Sequence, residues 1–525
     1  MSWRLAAVLA LLMLSGIVCA ASENRLRIGN NAEPESLDPQ RASSVSALNI
    51  IRDLDEGLVQ LDAQGQPQPA AAQSWQRDAS GLVYTFTLRP SARWSDGSAL
   101  QAQDFVAALR RAVDPRNGAP FAQLLSPIAQ AEAIMAGHAT PESLGVAALD
   151  AQQLRITLAR PTPQFLALLA HPVSFPLHGP SWQRYGAGFA RAGRMLSNGA
   201  YQLRDWVVHD RIELVRNPHY WNAGTVRIAQ VSYYAIDDVD AELKRYLAGE
   251  LDITAQIPLV QAPQLRRERG AELRLAPYLG TYYLGLNVRR APLDDPRLRR
   301  ALSLAIDRKL IVDKVMNGLA APAASWVPPG TADYSPQTPD WAQWPRAQQL
   351  AEARRLYREA GYTSEHPLHI ELRYNQHDDH RRIAIVVAAM WKQWLGVQTQ
   401  LLGEENKVFL ANRRAGHITQ VFRASWIADD QDAAGFLQVL ASGNGRNDTG
   451  FADAAYDALL AQAAAQGEAP SRRARLEEAE RYLLAQQPLI PLYFYLSKHL
   501  LSPRVQNWQD HVLDYHYSKD LWLAP

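Results

Sequence analysis

Cysteine occurs once in this chain of 525 residues, and that single thiol, Cys19, lies in a stretch expected to be removed. Arg4 supplies a short positive start, Leu5 to Val18 is an apolar run, and Val18-Cys19-Ala20 ahead of Ala21 fits the cleavage rule of a secretory signal spanning residues 1–20. The run is too short for a stable transmembrane span. Lipidation through Cys19 is disfavoured because bulky Val18 stands where a small residue is expected. A chain cut after Ala20 carries no thiol, so no disulfide or thiolate-held metal can staple it, and its fold must rest on apolar cores. Export into a bacterial periplasm is the simplest account. Cores stop growing well below the roughly 505 residues that remain, which predicts about three domains.

Charge then removes whole classes of partner. The chain has 54 basic and 53 acidic residues, and Arg4 leaves with the signal, so the mature protein is formally neutral. Neither nucleic acid nor an anionic membrane is favoured by such a balance. The 14 Trp and 20 Tyr exceed what cores usually need, and aromatics in that number line ligand grooves.

Strand and helix signals alternate without internal repeats, which predicts mixed α/β structure. Leu26-Arg27-Ile28 opens a first strand, Tyr84 to Leu88 alternates at period two, and Trp94-Ser95-Asp96-Gly97 supplies a turn. Phe105, Leu109, Ala112 and Val113 then recur at helical spacing until Asp114-Pro115. Leu154, Ile156 and Leu158 alternate, and a hairpin is expected from Tyr201–Trp206 to Ile212–Val215 across His209-Asp210. Asp295-Pro296 caps and starts a helix, while Gly361 and Gly396 end helices. Leu489 to Tyr495 reads as a strand with Tyr493 and Tyr495 on one side and Phe494 on the other.

Nine residues late in the chain, Phe422-Arg423-Ala424-Ser425-Trp426-Ile427-Ala428-Asp429-Asp430, set an arginine, a tryptophan and carboxylates in one short stretch. A free peptide offers a positive amino end, a negative carboxyl end and neutral amides, and these side chains are complementary to those groups. The segment reads as one that grips such a ligand.

Several motifs occur in order: Ser36-Leu37-Asp38-Pro39, Asp53-Leu54-Asp55-Glu56-Gly57-Leu58, the block from Thr85 to Phe105, Asn198-Gly199-Ala200-Tyr201, Pro277 to Tyr283, and the Arg423 to Asp429 segment. Together they resemble the periplasmic oligopeptide-binding proteins of ABC importers, extracellular solute-binding family 5, over essentially the whole mature length. The murein-tripeptide-binding and dipeptide-binding proteins are similar too. The resemblance implies an α/β, two-lobed hinged fold of three domains. Residues 21–68, 193–279 and 496–525 would form a discontinuous domain, 69–192 a domain inserted in the same lobe, and 280–495 the second lobe. The chain crossings, near Tyr278 to Thr281 and near Tyr495, would form the hinge.

Site residues follow from the same resemblance. Asp429 is expected to pair with the ligand's α-ammonium beside Trp426, while Asp430 caps a helix beginning near Gln431. Arg423, Arg413 and His380 would meet the carboxylate of peptides of different length, His380 either protonated or through one neutral N–H. Glu56 is a candidate latch across the closed lobes. Main-chain groups of Ser425, Ile427 and the Tyr278 to Tyr283 segment would hold the peptide backbone like an added strand, with Tyr495 lining the groove. Three departures from the family pattern, Asn406, Gly285 and Met316, weaken the dipeptide register and predict a preference for tri- or tetrapeptides. Partners would be short peptides with free ends and an inner-membrane ABC permease with its ATPase, the receptor acting as a monomer without a cofactor. No metal is expected, since His377-Asp378-Asp379-His380 reads as a solvated loop. The pairs Glu404-Glu405 and Asp429-Asp430 raise a peptidase or glycosidase reading, but adjacent carboxylates rarely face each other, and no catalytic motif accompanies them.

Overall fold

The computed structural model describes residues 24–466 and 468–524, so the expected signal segment lies outside the described residues. No helix among the described residues is long and apolar enough to cross a membrane. Three larger sheets organise the chain. One runs in the order Arg25–Gly29, Gln230–Tyr234, Arg211–Arg216, Tyr201–Val207, its first two strands parallel. The second, wholly antiparallel, runs Ala72–Arg77, Val83–Leu88, Gln153–Thr157, Val146–Ala148. The third runs Ala320–Pro322, Leu489–Leu500, Leu273–Leu286, Val421–Ile427, His369–Asn375, Gln398–Glu404 and mixes both directions.

The expected local elements are found, and the motifs explain some of them. The hairpin turns through His209 at φ +62°, and Asp295 caps the helix Pro296–Ala305 by accepting from Arg297 N–H at 2.8 Å. In the Trp94 to Gly97 turn, Gly97 sits at φ +88°, a left-handed conformation that glycine adopts without strain. Asp104, in the first turn of the helix Ala102–Val113, accepts from Gln101 N–H at 2.9 Å and from Trp94 Nε1 at 3.2 Å, pinning turn to helix. Phe86, Phe105, Leu109, Leu154 and Ile156 are fully buried between that helix and the second sheet. Two other motifs meet each other. Asn198 Nδ2 donates to Glu56 O at 2.8 Å, Glu56 N–H returns a bond to Asn198 Oδ1 at 3.1 Å, and a Cβ on Gly199 would lie 2.6 Å from Leu54 O.

Two expectations fail. The short helix after the Arg423 segment is Ala433–Leu437, capped by Asp432 rather than Asp430. Asp430 instead accepts from Asp432 N–H at 2.7 Å and closes the preceding turn. The stretch Asp378 to His380 is no solvated loop: it is the first turn of the helix Asp378–Leu395, with His377 as N-cap.

The strands Leu273–Leu286 and Leu489–Leu500 are antiparallel neighbours, and their ladder breaks between Pro277↔Leu496 and Thr281↔Phe494. Tyr278, Leu279 and Gly280 there oppose Tyr495 alone. Tyr493 and Tyr495 share a face, their rings edge-to-face at 5.4 Å.

Candidate functional site

The strand Val421–Ile427 is paired along its whole length on one side only. Its antiparallel register with Leu273–Leu286 runs from Gly280↔Ile427 to Leu286↔Val421. On the other side the parallel pairing with His369–Asn375 stops at Arg373↔Phe422. From Arg423 onward that edge has no ladder partner among the described residues, which leaves main-chain groups of Ser425 and Ile427 able to take an added strand. Residues Thr281 to Tyr283 differ: they are paired on both sides, so the part of the Tyr278 to Tyr283 segment expected to hold a ligand's backbone is already committed to the sheet.

Alternation sends Arg423 and Ser425 to one face of the sheet and Trp426 to the other. On the first face, Arg423 lies over the Tyr282 ring at 4.8 Å, and Tyr282 stacks on Tyr493 at 4.6 Å. The guanidinium donates to Asn375 Oδ1 at 3.3 Å, Ser425 Oγ at 3.3 Å and Tyr495 OH at 3.4 Å, all neutral, while its buried Nε has no acceptor. Arg423 forms no ion pair among the described residues. His380 completes this group, its Nδ1 3.4 Å from Tyr282 OH. Burial and the neighbouring Arg423 and His377 push its pKa down to about 3, so it is a neutral ring at physiological pH and offers one N–H rather than a charge.

At the far end of the strand, Asp429 is half-buried and accepts no hydrogen bond from the described residues. Burial pushes its carboxyl pKa up, opposed by the charge of Arg446. It lines a cavity of about 580 Å³ together with Trp426, Arg446, Gln123, Pro163 and Leu168. The indole N–H of Trp426 is buried without an acceptor, and Arg446 lies over its ring at 5.0 Å. Arg446 has no motif around it, only an Asn-Gly turn, and sequence reasoning missed it. Sequence reasoning also missed Asn375 and took Tyr282 only as main chain, whereas it placed Tyr493 on the same strand face as Tyr495, the one available signal.

Other expected residues lie elsewhere. Arg413 already has an anion, Asp448 Oδ2 at 2.6 Å from its Nε, in a contact whose angle leaves the Nε hydrogen without an acceptor. Glu56 does not stand free as the expected latch would: it is 5 % exposed, and Tyr220 OH donates to it at 2.5 Å, Trp221 Nε1 at 2.8 Å and Lys519 Nζ at 3.3 Å. The helix before it ends at Leu54, so the carboxylate turns inward to those three donors. Tyr283 points away from Arg423 and packs edge-to-face on Trp326 at 4.9 Å. Tyr278 is half-buried in the ladder break opposite Tyr495. Glu404 accepts from Arg373 Nη1 at 3.0 Å and Asn412 Nδ2 at 2.9 Å, and Glu405 caps the helix Asn406–Arg414, so that carboxylate pair is occupied structurally.

Three metal-capable side chains, His499, Asp514 and His516, do converge. Nδ1 of His499 faces Thr254 O at 2.7 Å and its Nε2 faces Asp514 Oδ1 at 2.9 Å. Both partners only accept, so the ring carries both protons. His516 Nε2 donates to the same Asp514 oxygen at 3.0 Å, and the group is satisfied as an ionic hydrogen-bond network.

Residues 66–448 match the family described as bacterial extracellular solute-binding proteins, family 5 Middle. The probable deoxycholate-binding periplasmic protein YgiS of Escherichia coli is 40% identical over 506 residues, 96% of this chain and 94% of that protein. The periplasmic oligopeptide-binding protein OppA of the same species is 36% identical over 533 residues, 99% and 98% of the two chains. The structure of the Escherichia coli murein tripeptide binding protein MppA superposes with a TM-score of 0.83 at 36% identity, covering 96% of this chain and 99% of that one. Haemophilus influenzae OppA in complex with the peptide RPPGFSPFR gives 0.81 at 33% identity, over 96% and 99%. With a matched span of that length and relatives aligned nearly end to end, the chain belongs to the bacterial extracellular solute-binding proteins of family 5.

Proposed function

We propose that the protein captures short peptides with free ends in the periplasm, closes its lobes over them, and hands them unaltered to an inner-membrane ABC permease driven by its ATPase, acting as a monomer. One observation carries this reading: a single strand has a guanidinium lacking an anion near one end, a carboxylate lacking a hydrogen bond just past the other, and a vacant edge between. A zwitterionic extended chain complements all three. The four residue steps from Arg423 to Ile427 span about 13 Å in a strand, the reach of three or four peptide residues.

The division into 21–68, 193–279 and 496–525, with 69–192 inserted and 280–495 as second lobe, belongs to the same proposal. It is supported by the sheets: the first draws every strand from the discontinuous block and the second from the insertion, while only Leu273–Leu286 and Leu489–Leu500 cross into the third.

The likeness to a probable deoxycholate-binding protein supplies a second reading, a carboxylated apolar ligand whose acid meets Arg423 among Tyr282, Tyr493 and Tyr495. Such a ligand leaves Asp429 without a cation. Calorimetric titration with di-, tri- and tetraalanine, N-acetyl-trialanine and deoxycholate separates the two. The peptide reading expects tri- and tetraalanine to bind more tightly than dialanine. It also expects acetylation to weaken binding roughly tenfold or more, a loss of ~1.4 kcal/mol. Deoxycholate binding with none from any peptide overturns it.

A further inference from the structure

Among the charged groups around the Asp429 cavity, Arg446 stands apart. The two other arginines that line that cavity are paired: Arg472 with Asp432 at 2.7 Å and Arg160 with Glu132 at 3.2 Å. Arg446 forms no ion pair among the described residues. Its backbone is nevertheless held in place. Asn444 Oδ1 accepts from Arg446 N–H at 2.9 Å, and the Asn447 amide donates to the carbonyls of Leu440, Ala441 and Phe451 at 3.1, 3.2 and 2.8 Å. The exposed guanidinium lies over the Trp426 ring and reaches the facing wall. There, in the amide orientation that satisfies both ends of Gln123, Gln123 Oε1 accepts from Arg446 Nη2 at 3.2 Å and its Nε2 donates to Pro120 O at 2.9 Å.

We infer that Arg446 is a specificity-determining residue that favours an acidic side chain on the first residue of a bound peptide. The inference rests on the peptide reading, in which the ligand's ammonium sits on Asp429. An ammonium fixed there brings the first side chain into the 580 Å³ space bordered by Trp426, Gln123 and Arg446. A carboxylate emerging into it gains a charge-assisted hydrogen bond from a guanidinium already oriented by an aromatic face and a neutral amide. A lysine or arginine in the same place meets a like charge, and the carboxylates near Arg446 are otherwise engaged: Asp429 by the ligand's ammonium, Asp430 by the Asp432 backbone, Asp432 by Arg472 and Asp448 by Arg413. The ligand-free cavity thus holds the opposite charges, one for each half of an amino-terminal acidic residue.

Calorimetric titration of Glu-Ala-Ala, Ala-Ala-Ala and Lys-Ala-Ala against the full protein and its Arg446→Gln and Arg446→Glu variants tests this. The wild-type protein should bind Glu-Ala-Ala about fivefold more tightly than Lys-Ala-Ala, a modest ratio because the guanidinium is partly solvated. Arg446→Gln should remove the difference, and Arg446→Glu should reverse it, an inversion that a merely structural role for the side chain would not produce. Equal wild-type binding of the three peptides, or a preference that survives Arg446→Gln, overturns the inference while leaving the peptide reading intact. Binding of none of the three overturns both.

Discussion

A guanidinium withdrawn from water needs an anion, and at Arg423 the fold supplies only an amide, a hydroxyl and a phenol. Such an arrangement is stable enough to persist and becomes stronger when a carboxylate arrives, because a bidentate charge-assisted pair replaces long neutral contacts. Asp429 mirrors this with an anion. Replacing Asp429 with Asn should therefore weaken trialanine binding about tenfold while leaving N-acetyl-trialanine unchanged, as read by titration calorimetry; equal losses for both peptides would mean that the carboxylate does not read the ammonium. The motif around Arg423 and Asp429 singled out both, and the fold leaves each without an ion pair among the described residues, whereas Arg413 and Glu56, expected to be free for a ligand, are already paired. The difference lies in partners remote along the chain. Asp448 neutralises Arg413, and Lys519, 463 residues from Glu56, neutralises that glutamate. A lone charged letter cannot reveal whether the fold has already answered it.

Strands and helices were legible because their side-chain periods are local, as in Val83–Leu88 or Ala102–Val113. Their neighbours across a sheet were not, since nothing near Val421–Ile427 announces that Leu273–Leu286 will lie beside it. That pairing nevertheless explains Gly285, read from sequence only as a departure from the family pattern. Gly285 stands opposite Phe422, and a Cβ there would lie 2.2 Å from the Phe422 ring. The aromatic ring fills the place of a side chain. Gly285→Ala should cost about 1–3 kcal/mol in denaturant unfolding, as overpacking does, and a Phe422→Leu change should recover part of that loss. Purely additive losses would show that the two positions are not in contact. Met316, another of the three departures, is a core residue at 5 % exposure, so it presents no group to a ligand.

Three segments distant in sequence meet at His499: the Thr254 loop, the strand Leu489–Leu500 and the carboxy-terminal stretch bearing Asp514 and His516. Burial works against the His499 charge, but Asp514 and the Thr254 carbonyl outweigh it and raise the pKa, with Lys498 opposing. Asp514 is held below the usual carboxylate range despite burial, by His499 and His516, and His516 is itself lowered, chiefly by burial. A histidine raised in the folded state stabilises fully below its unfolded value of about 6.5 and loses that contribution as pH climbs through the folded value. The aspartate's contribution is present above about 3.9 and fades only in stronger acid. His499→Gln should thus lower stability most near pH 6, by up to ~3 kcal/mol, with the gap from wild type narrowing toward pH 9 in thermal melts. A gap independent of pH would refute the charged state. The two-lobed plan was legible from ordered motifs, whereas this network was not, because its members are spread over 262 residues between Thr254 and His516.

Gly285 lies opposite Leu489, and Leu286 N–H donates to Pro488 O at 3.0 Å, so the excursion of chain between them departs and returns through a single doorway. Arg423, Asp429 and Arg446 all travel inside it. A module whose ends touch can be exchanged between homologues as one cassette, so the side chains it carries can diverge while the two strands at its doorway are inherited unchanged.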